Sequence, residues 1–274
     1  MPFTLIKGRF KPLAGIPDGD SVRFLAENLS LWWRLKGKPV ELGTGAKTKN
    51  TAQLRFEGID AIEKGATQPL ATEARESMFE LIGFDENNNP EPTGYILARM
   101  TDDESARPIC FVFAGTTGRA DGSEVYLEPA LLLQSVNYKQ VKSGFAYPLY
   151  YNTLFASLRN EFNQALAFAK QRLFGYWPKD KTLKGVIVKS HSDLATIPPI
   201  WPKLWRRMDE YLKKTDSLAG FIKFLEDRNE RVDILSTMEE QGLQDLVKVT
   251  GNKVKMTQPP ENLRVVSKTG KRNR

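Results

Sequence analysis

The sequence predicts an α+β protein with a strand-rich first part and a smaller, mainly helical last part. Up to about residue 115, short segments alternate apolar and polar side chains, as strands with one buried face do. Further along, apolar residues recur every three or four positions, which is typical of amphipathic helices. A hydrophilic stretch at residues 179–182 divides the 274-residue chain, so we predict domains at 1–180 and 181–274.

In the first part, the alternating pattern predicts strands at residues 22–25, 53–56 and 95–100. The Gly-, Lys- and Thr-rich residues 43–51 predict a hairpin loop between the first two of these strands. One helix is predicted from Pro69 to Ile82, because small and apolar residues recur at helical spacing and Gly83 can end it.

More helices are predicted after the strand-rich segments. Two precede the division, over residues 128–142 and 154–173, and the second has one continuous apolar face. The elements predicted for the last part are a strand at 185–188, helices at 201–214 and 217–227, and strands at 246–249 and 253–256. This last part is therefore expected to be a mainly helical accessory region with short strands.

The counts of cysteine and histidine exclude several kinds of chemistry. With one of each, the chain cannot form an internal disulfide, a Cys/His zinc cluster or a Cys-x-x-Cys redox centre. Cys110 lies in an apolar run, which predicts a buried and inert thiol, and His191 is predicted to lie in an exposed loop. Any catalysis would therefore depend on carboxylates, arginines, lysines and hydroxyl groups.

Hydropathy bears on the cellular location of the protein. No apolar run approaches the roughly 20 residues that cross a bilayer. The first residues also lack the charged segment, apolar block and cleavage site of a secretory signal. We therefore expect a soluble, cytoplasmic protein with no membrane partner.

The positive charge is concentrated in the last third of the chain, and the formal net charge is +7. Residues 1–180 hold 21 basic and 21 acidic side chains, whereas residues 181–274 hold 19 and 12. The basic segment at 268–274 can contact nucleic-acid phosphates and release counterions, or it can be a solvated terminus. The accessory region is thus expected to contact nucleic acid or a protein partner.

Charged residues bracket several of the predicted strands. In chain order they are Asp18, Asp20, Arg55, Asp60, Glu63 and Arg107. Taken singly, acidic residues in turns and arginines beside strands are common. Their order and spacing along the chain are much more specific than any one of them.

In this order, the charged residues resemble the staphylococcal nuclease family. The resemblance covers about residues 3–178, with insertions near 27–51 and 116–127. It continues through the segments Pro69–Ala74, Val136–Tyr138, Gly144–Tyr147 and Leu173–Trp177. It implies a five-stranded OB-type β-barrel with three helices, to which the C-terminal region is added.

Members of this family cleave DNA and RNA with calcium, so the resemblance implies a calcium-dependent nuclease with DNA or RNA as partner. The implied calcium ligands are Asp20, Asp60 and the carbonyl of Ala61. The implied catalytic residues are Arg55 and Arg107, which would hold the phosphate, and Glu63, which would act on a water molecule. Tyr150 and Tyr151 lie near the family's nucleotide-stacking tyrosines and can either stack on a base or cover the barrel mouth.

The residue types suit these implied roles. Calcium takes oxygen ligands, which carboxylates and carbonyls provide. Two guanidinium groups can neutralise the charge that develops on a phosphodiester through bidentate hydrogen bonds. Glu63 can orient the water or deprotonate it, and the sequence leaves both roles open.

The sequence also departs from the family pattern. Ala61-Ile62 replaces a proline-containing pair, and the loss of proline can loosen the turn that aims Glu63. Glu104-Ser105 replaces a Lys-Tyr pair that contacts a terminal phosphate in the family, so the family's substrate preference cannot be transferred. A non-catalytic nucleic-acid or protein-binding module on the same barrel is therefore the alternative function.

Two aromatic segments can each have either of two roles. The pair Trp32-Trp33 can pack in the core or form a base-stacking platform beside Arg34. The helix that contains Trp201, Trp205 and Arg206-Arg207 can provide a packing face or contact nucleic acid directly.

Overall fold

The computed structural model describes residues 2–266, so the basic segment at 268–274 lies outside the described residues. The strands are β1 (Phe3–Phe10), β2 (Arg23–Ala26), β3 (Ala52–Gln53), β4 (Arg55–Phe56), β5 (Gly58–Asp60), β6 (Thr93–Thr101), β7 (Pro108–Ala114), β8 (Glu124–Val125), β9 (Tyr147–Tyr151), β10 (Val186–Ile187), β11 (Arg231–Ile234), β12 (Glu239–Gly242), β13 (Val247–Thr250), β14 (Lys253–Met256) and β15 (Leu263–Val265). The α-helices are α1 (Leu70–Ile82), α2 (Pro129–Leu132), α3 (Val136–Lys142), α4 (Ala156–Arg172), α5 (Pro202–Thr215) and α6 (Phe221–Arg228).

The first sheet curls back on itself. Its order is β3-β2-β1-β6-β7-β4, and β8 pairs with the start of β1. The two end strands of this order, β3 and β4, are separated in the chain by Leu54 alone, so the sheet returns to its own beginning. The predicted α+β class is therefore confirmed, with a nearly closed, barrel-like sheet. The pairing in this sheet runs through seven segments rather than the five strands predicted.

Two of the helices predicted for the first part are present. Helix α1 ends at Gly83, which has a left-handed backbone (φ 77°) and donates its N–H to the last turn. Helix α4 packs Phe162 against Phe111 in the barrel core, with ring centroids 6.5 Å apart. The single helix predicted over 128–142 is wrong, because the chain forms α2 and α3 instead. Ser135 accepts a hydrogen bond from the backbone N–H of Tyr138 (3.1 Å), and this N-cap starts a new helix.

The side chain of Asn137 connects α3 to the barrel. Its Oδ1 accepts a hydrogen bond from the N–H of Val112 (2.9 Å), and its Nδ2 donates to the carbonyls of Glu57 and Cys110 (3.0 Å each). The side chain is fully buried, so each of these bonds satisfies a group that water cannot reach. The bonds fix α3 against β7 and against the connection from β4 to β5.

The chain after residue 181 shares a hydrophobic core with the first part. This core contains Ala71 and Ala74 of α1 and Tyr147 of β9, together with Trp201 and Phe221. A second sheet, in the order β12-β11-β15-β9-β5, also includes strands of both parts, because β15 pairs in parallel with β9. The polar stretch at 179–182 therefore connects segments that share one core and one sheet.

Helix α5 is fixed by contacts at its N-terminal half. Glu230 accepts hydrogen bonds from Lys203 (2.8 Å) and from two nitrogen atoms of Arg207 (2.6 and 2.8 Å). Burial would raise the pKa of Glu230, but these cations outweigh it and hold the pKa well below its ordinary value. The Trp201 indole donates to the carbonyl of Pro148 in β9 (3.3 Å). Helix α5 therefore has a defined position against β9.

The structure tests the environments predicted for Cys110, for the pair Trp32-Trp33 and for His191. Cys110 is buried, as predicted. Trp32 packs in the core, whereas Trp33 is 78% exposed, so the two members of the pair differ. His191 begins a short 3₁₀ helix rather than lying in a loop, and its Nε2 is 2.8 Å from Asp209. In the described part of the chain, no helix has the length and hydrophobicity that crossing a membrane requires.

Replacing Glu230 with Gln should destabilise the fold. We expect the free energy of unfolding at pH 7 to fall by about 3 kcal/mol, because two largely buried cations lose the carboxylate that they share. A carboxylate with a depressed pKa stabilises the fold above its ordinary pKa, and this contribution is lost as the pH falls toward the folded-state value. In urea denaturation, E230Q should therefore differ less from the unsubstituted protein at pH 3 than at pH 7.

E240Q is the matched control for this substitution. Glu240 also pairs with an arginine, Arg231, but both side chains are exposed. Its loss should change the free energy of unfolding by less than about 1 kcal/mol. Equal losses in E230Q and E240Q would contradict the importance of the buried pair.

Candidate functional site

Two acidic turns meet at one edge of the barrel. The first, residues 18–21, is closed by a hydrogen bond between the backbones of its end residues (3.3 Å). The carbonyl of Asp20 accepts a hydrogen bond from the N–H of Phe56 (3.0 Å), which places Asp20 alongside β4. Asp20 consequently interacts electrostatically with Arg55 and with Asp60, the residue that begins the second turn.

A glycine allows the two turns to approach each other. A Cβ atom on Gly19 would lie 2.7 Å from the Cβ of Ala61 and 3.0 Å from the Cβ of Ala74 on α1. Gln140 of α3 holds the first turn in this position, because its Nε2 donates to the carbonyls of Gly19 (2.8 Å) and Ala74 (3.0 Å). Two helices thus press the first acidic turn against the second.

The second turn follows β5. Asp60 ends the strand and is only 1% exposed. The chain then passes through Ala61, and the N–H of Ile62 donates to the hydroxyl of the buried Tyr176 (3.4 Å). Glu63 follows and is half-buried, so the turn carries one deep carboxylate and one near the surface.

The guanidinium of Arg206, on α5, lies between these two carboxylates. Its Nη1 and Nη2 donate to the two oxygens of Asp60 (2.8 and 2.9 Å), and Nη1 also donates to Oε1 of Glu63 (2.7 Å). Bidentate, charge-assisted bonds of this kind are among the strongest hydrogen bonds in proteins. The C-terminal region therefore contributes directly to the candidate site.

Burial and neighbouring charges shift the pKa values at the site. Burial raises the pKa of Asp20 well above its ordinary value, and the carboxylates of Asp18 and Asp60 act in the same direction. Burial also raises the pKa of Glu63, against the opposing effect of Arg206. For Arg206 itself, burial disfavours the charged form, but the two carboxylates outweigh it and raise its pKa. Arg206 is therefore always a cation here.

Arg55 has a different environment from Arg206. Its guanidinium interacts electrostatically with Asp20, Asp60 and Tyr151. Among the described residues, the salt bridges to Asp60 and Glu63 come from Arg206 and not from Arg55. The donors of Arg55 are therefore not engaged by these carboxylates, and they suit an anionic ligand.

Arg107 is held by its own turn. Its Nε donates to Asp102 Oδ2 (2.9 Å) and to Ser105 Oγ (3.0 Å). The described contacts of this guanidinium are thus with its own turn rather than with the two acidic turns.

The two tyrosines lie in different surroundings. Tyr150 is 1% exposed, and its hydroxyl donates to Asn163 Oδ1 (2.7 Å), so its ring offers no face to a base. Tyr151 is half-buried and lies near Arg55. Of the pair, Tyr151 is the more exposed.

The acidic residues supply only oxygen donors, which suits calcium. In the conformation described, however, they do not fit the ion. Within residues 2–266, no group of three or more His, Cys, Asp or Glu side chains is arranged to hold a metal. Arg206 occupies both oxygens of Asp60 and one of Glu63. These carboxylate oxygens are therefore already engaged by a guanidinium.

Two shallow hollows flank the second turn. One lies beside Asp18 and is lined by Lys64 and Arg75. The other lies between Glu63 and Trp205. The first places two cationic side chains next to the acidic turns.

Sequence reasoning missed the roles of Arg206 and Gln140. The sequence does place Arg206 on a basic, amphipathic helix. Nothing in that pattern indicates which of the two consecutive arginines faces the barrel. Gln140 lies inside a predicted helix and carries no motif.

Comparison with known proteins adds no assignment: no protein-family model matches the chain, and no curated protein is detectably similar to it. The resemblance to the staphylococcal nuclease family therefore stays a prediction.

The substitution Gly19→Ala should separate the two acidic turns. We expect it to lower the free energy of unfolding by about 1–3 kcal/mol, because the new Cβ overlaps Ala61 and Ala74. Gly118→Ala is the matched control, since a Cβ there meets nothing within 4 Å and should change stability by less than about 0.5 kcal/mol. Equal urea midpoints for G19A and the unsubstituted protein would contradict this close approach.

Proposed function

We propose that the protein is a nuclease that hydrolyses phosphodiester bonds in DNA or RNA. The observation that supports this most strongly is the gathering of Asp20, Asp60, Glu63 and Arg55 at one edge of the barrel. Neighbouring buried carboxylates destabilise a fold, so their presence favours a functional reason. Carboxylates beside an arginine whose donors they do not occupy suit phosphodiester cleavage, because the arginine can bind the phosphate oxygens and a carboxylate can act on water.

We propose that the barrel is of the five-stranded OB type. This count results if β3 and β4 are one strand interrupted at Leu54 and if β8 is an added edge segment. The strands are then β1, β2, β3–β4, β6 and β7. The helices α1, α3 and α4 would be the three that the family adds to this barrel.

Calcium is the proposed cofactor, with Asp20, Asp60 and the Ala61 carbonyl as its ligands. The support is the chemistry of the donors, which are all oxygen atoms. The obstacle is Arg206, which occupies Asp60 and Glu63. Metal binding would therefore require these carboxylates to exchange partners.

The proposed roles of the side chains follow from their surroundings. Arg55, whose donors are not held by the acidic turns, would bind two phosphate oxygens and neutralise charge that develops on them. Glu63 lies on the exposed side of its turn and has a raised pKa. It would either orient the attacking water or accept a proton from it. Tyr151 would contact the nucleotide next to Arg55. Arg107 would join the phosphate only after release from Asp102.

The second candidate is a non-catalytic nucleic-acid or protein-binding module. It is favoured by one specific observation: both oxygens of Asp60 already bond to Arg206. In that case the ion pair would be purely structural. The protein would then bind nucleic acid with a steep salt dependence and would not cleave it.

Cleavage of labelled single- and double-stranded DNA and RNA tests the nuclease proposal. We expect hydrolysis in calcium that stops when EDTA is added. Arg55→Ala should lower turnover by about 10²–10³-fold, the usual effect of removing one preorganised donor to a charged transition state. Activity that survives both EDTA and R55A would defeat the proposed mechanism.

Arg9→Ala provides the matched control. Arg9 is also a strand arginine, but its side chain is exposed and donates only to the carbonyl of Glu91 in the described residues. Its removal should leave turnover unchanged. Binding of nucleic acid without cleavage under all of these conditions would favour the second candidate instead.

A further inference from the structure

Positive charge is concentrated along α3 and the C-terminal half of α4. Residues 129–179 hold six basic side chains and one acidic side chain, although residues 1–180 as a whole are balanced. The two helices pack against each other, with the rings of Tyr138 and Phe162 6.4 Å apart. Lys139 and Lys142 are exposed on α3, and Arg172 is exposed at the end of α4. This helix pair therefore presents cations to solvent.

Two exposed phenylalanine rings lie among these cations. Phe168 is 37% exposed and Phe174 is 43% exposed, and their rings meet edge to face with centroids 5.9 Å apart. The Lys142 ammonium lies 5.4 Å from the centroid of the Phe168 ring, and the Arg172 guanidinium lies 5.7 Å from it. Lys139 is one helical turn from Lys142, so it shares this face of α3. These five residues form the α3–α4 surface.

The cations beside Phe168 are not engaged by carboxylates. Lys170 lies on the opposite side of α4 from Phe168 and bonds to Glu261 of the C-terminal region (2.5 Å). By contrast, neither Lys142 nor Arg172 pairs with an acidic side chain within residues 2–266. The α3–α4 surface thus combines unpaired positive charge with exposed aromatic rings. Surfaces that bind single-stranded nucleic acid have this combination, because cations contact the phosphates and bases stack on the rings.

We propose that the α3–α4 surface binds single-stranded nucleic acid, with Lys142 and Arg172 on its phosphates and the ring of Phe174 stacked on a base. The proposal goes beyond the nuclease proposal, because the surface shares no residue with the acidic turns and binding there requires no hydrolysis. The excess of positive charge favours a polyanion. The exposed rings favour a single strand, because a duplex keeps the faces of its bases stacked inside.

The elements that carry the α3–α4 surface also support the acidic turns. On α3, Gln140 lies between the two exposed lysines in the chain and donates to the carbonyl of Gly19. After α4, Phe174 is followed two residues later by Tyr176, whose hydroxyl accepts a hydrogen bond from the N–H of Ile62. A strand bound at the α3–α4 surface would therefore be held by the same elements that position the candidate site.

Binding of a labelled single strand tests the contribution of the cations. Fluorescence anisotropy is measured in EDTA with the full-length protein and an oligothymidylate of about 20 nucleotides, long enough to cover one such surface. We expect the double variant K142Q/R172Q to bind at least about tenfold more weakly at low salt. The slope of log K against log salt concentration should fall by about 0.7 for each phosphate contact that is lost.

The matched control is K213Q/K223Q. It removes the same total charge from two exposed side chains, but Lys213 pairs with Asp209 and Lys223 pairs with Asp227. These lysines lie on α5 and α6, outside the α3–α4 surface. The affinity and the salt slope of this control should therefore match those of the unsubstituted protein.

Phe174→Leu tests stacking, because leucine keeps an apolar side chain but has no ring. We expect F174L to bind the single strand about fivefold more weakly, or worse, and to bind a duplex like the unsubstituted protein. Phe155→Leu is the matched control. Phe155 is 45% exposed, but the largely buried Arg99 lies 5.2 Å from the centroid of its ring. Thermal melting of each variant checks that it is folded.

Four results would overturn the proposal. They are no binding of the oligonucleotide by the unsubstituted protein, equal losses in K142Q/R172Q and K213Q/K223Q, equal losses in F174L and F155L, and binding of anionic phospholipid vesicles in preference to the oligonucleotide. The fate of the nuclease proposal is separate. A protein that binds the single strand through the α3–α4 surface but cleaves no nucleic acid in calcium would contradict the proposed function and leave this inference intact.

Discussion

A buried carboxylate at the end of β5 constrains the rest of the molecule. Asp60 is almost inaccessible to water, and an unpaired charge in such a position destabilises a fold by several kcal/mol. Its partner comes from a helix 146 residues further along the chain. For that guanidinium to arrive, α5 must lie against β9, and the contacts of Trp201 and Glu230 hold it there. The charge of the acidic turns is thus neutralised only when the C-terminal region lies in this position.

The site combines stabilising and destabilising features. Gln140 and the absence of a side chain at Gly19 hold the first turn close to the second. Burial raises the pKa of Asp20, and the nearby carboxylates of Asp18 and Asp60 add to this, which works against the folded state at neutral pH. A sequence selected only for stability would place neutral side chains there. The helices α1 and α3 therefore support an arrangement that the acidic residues alone would not keep.

The sequence was sufficient where local pattern determines structure. The strand β6 and the helices α1 and α4 were predicted because their periodicity agrees with their burial. The break at Ser135 was missed because a side-chain cap, not hydrophobic spacing, separates α2 from α3. Asp20, Arg55, Asp60 and Glu63 were singled out through their order along the chain. Arg206 could not be identified in this way. Helical spacing shows which residues share one face of a helix, but not which residues that face contacts. The local pairing of Arg107 with Asp102 depends on turn geometry, which the sequence pattern did not indicate.

The difference between the two candidate functions reduces to whether one ion pair is permanent. An arginine that served only to neutralise Asp60 would be most effective if fully enclosed, since solvent weakens an ion pair. Arg206 is instead 28% exposed, and its Nη1 donates both to Asp60 and to the less buried Glu63. Its helix is also held by Trp201 and by the bonds of Lys203 and Arg207 to Glu230, so Arg206 is one of several anchors of α5. Without its guanidinium the buried carboxylate of Asp60 would be unpaired, which opposes any opening of this ion pair.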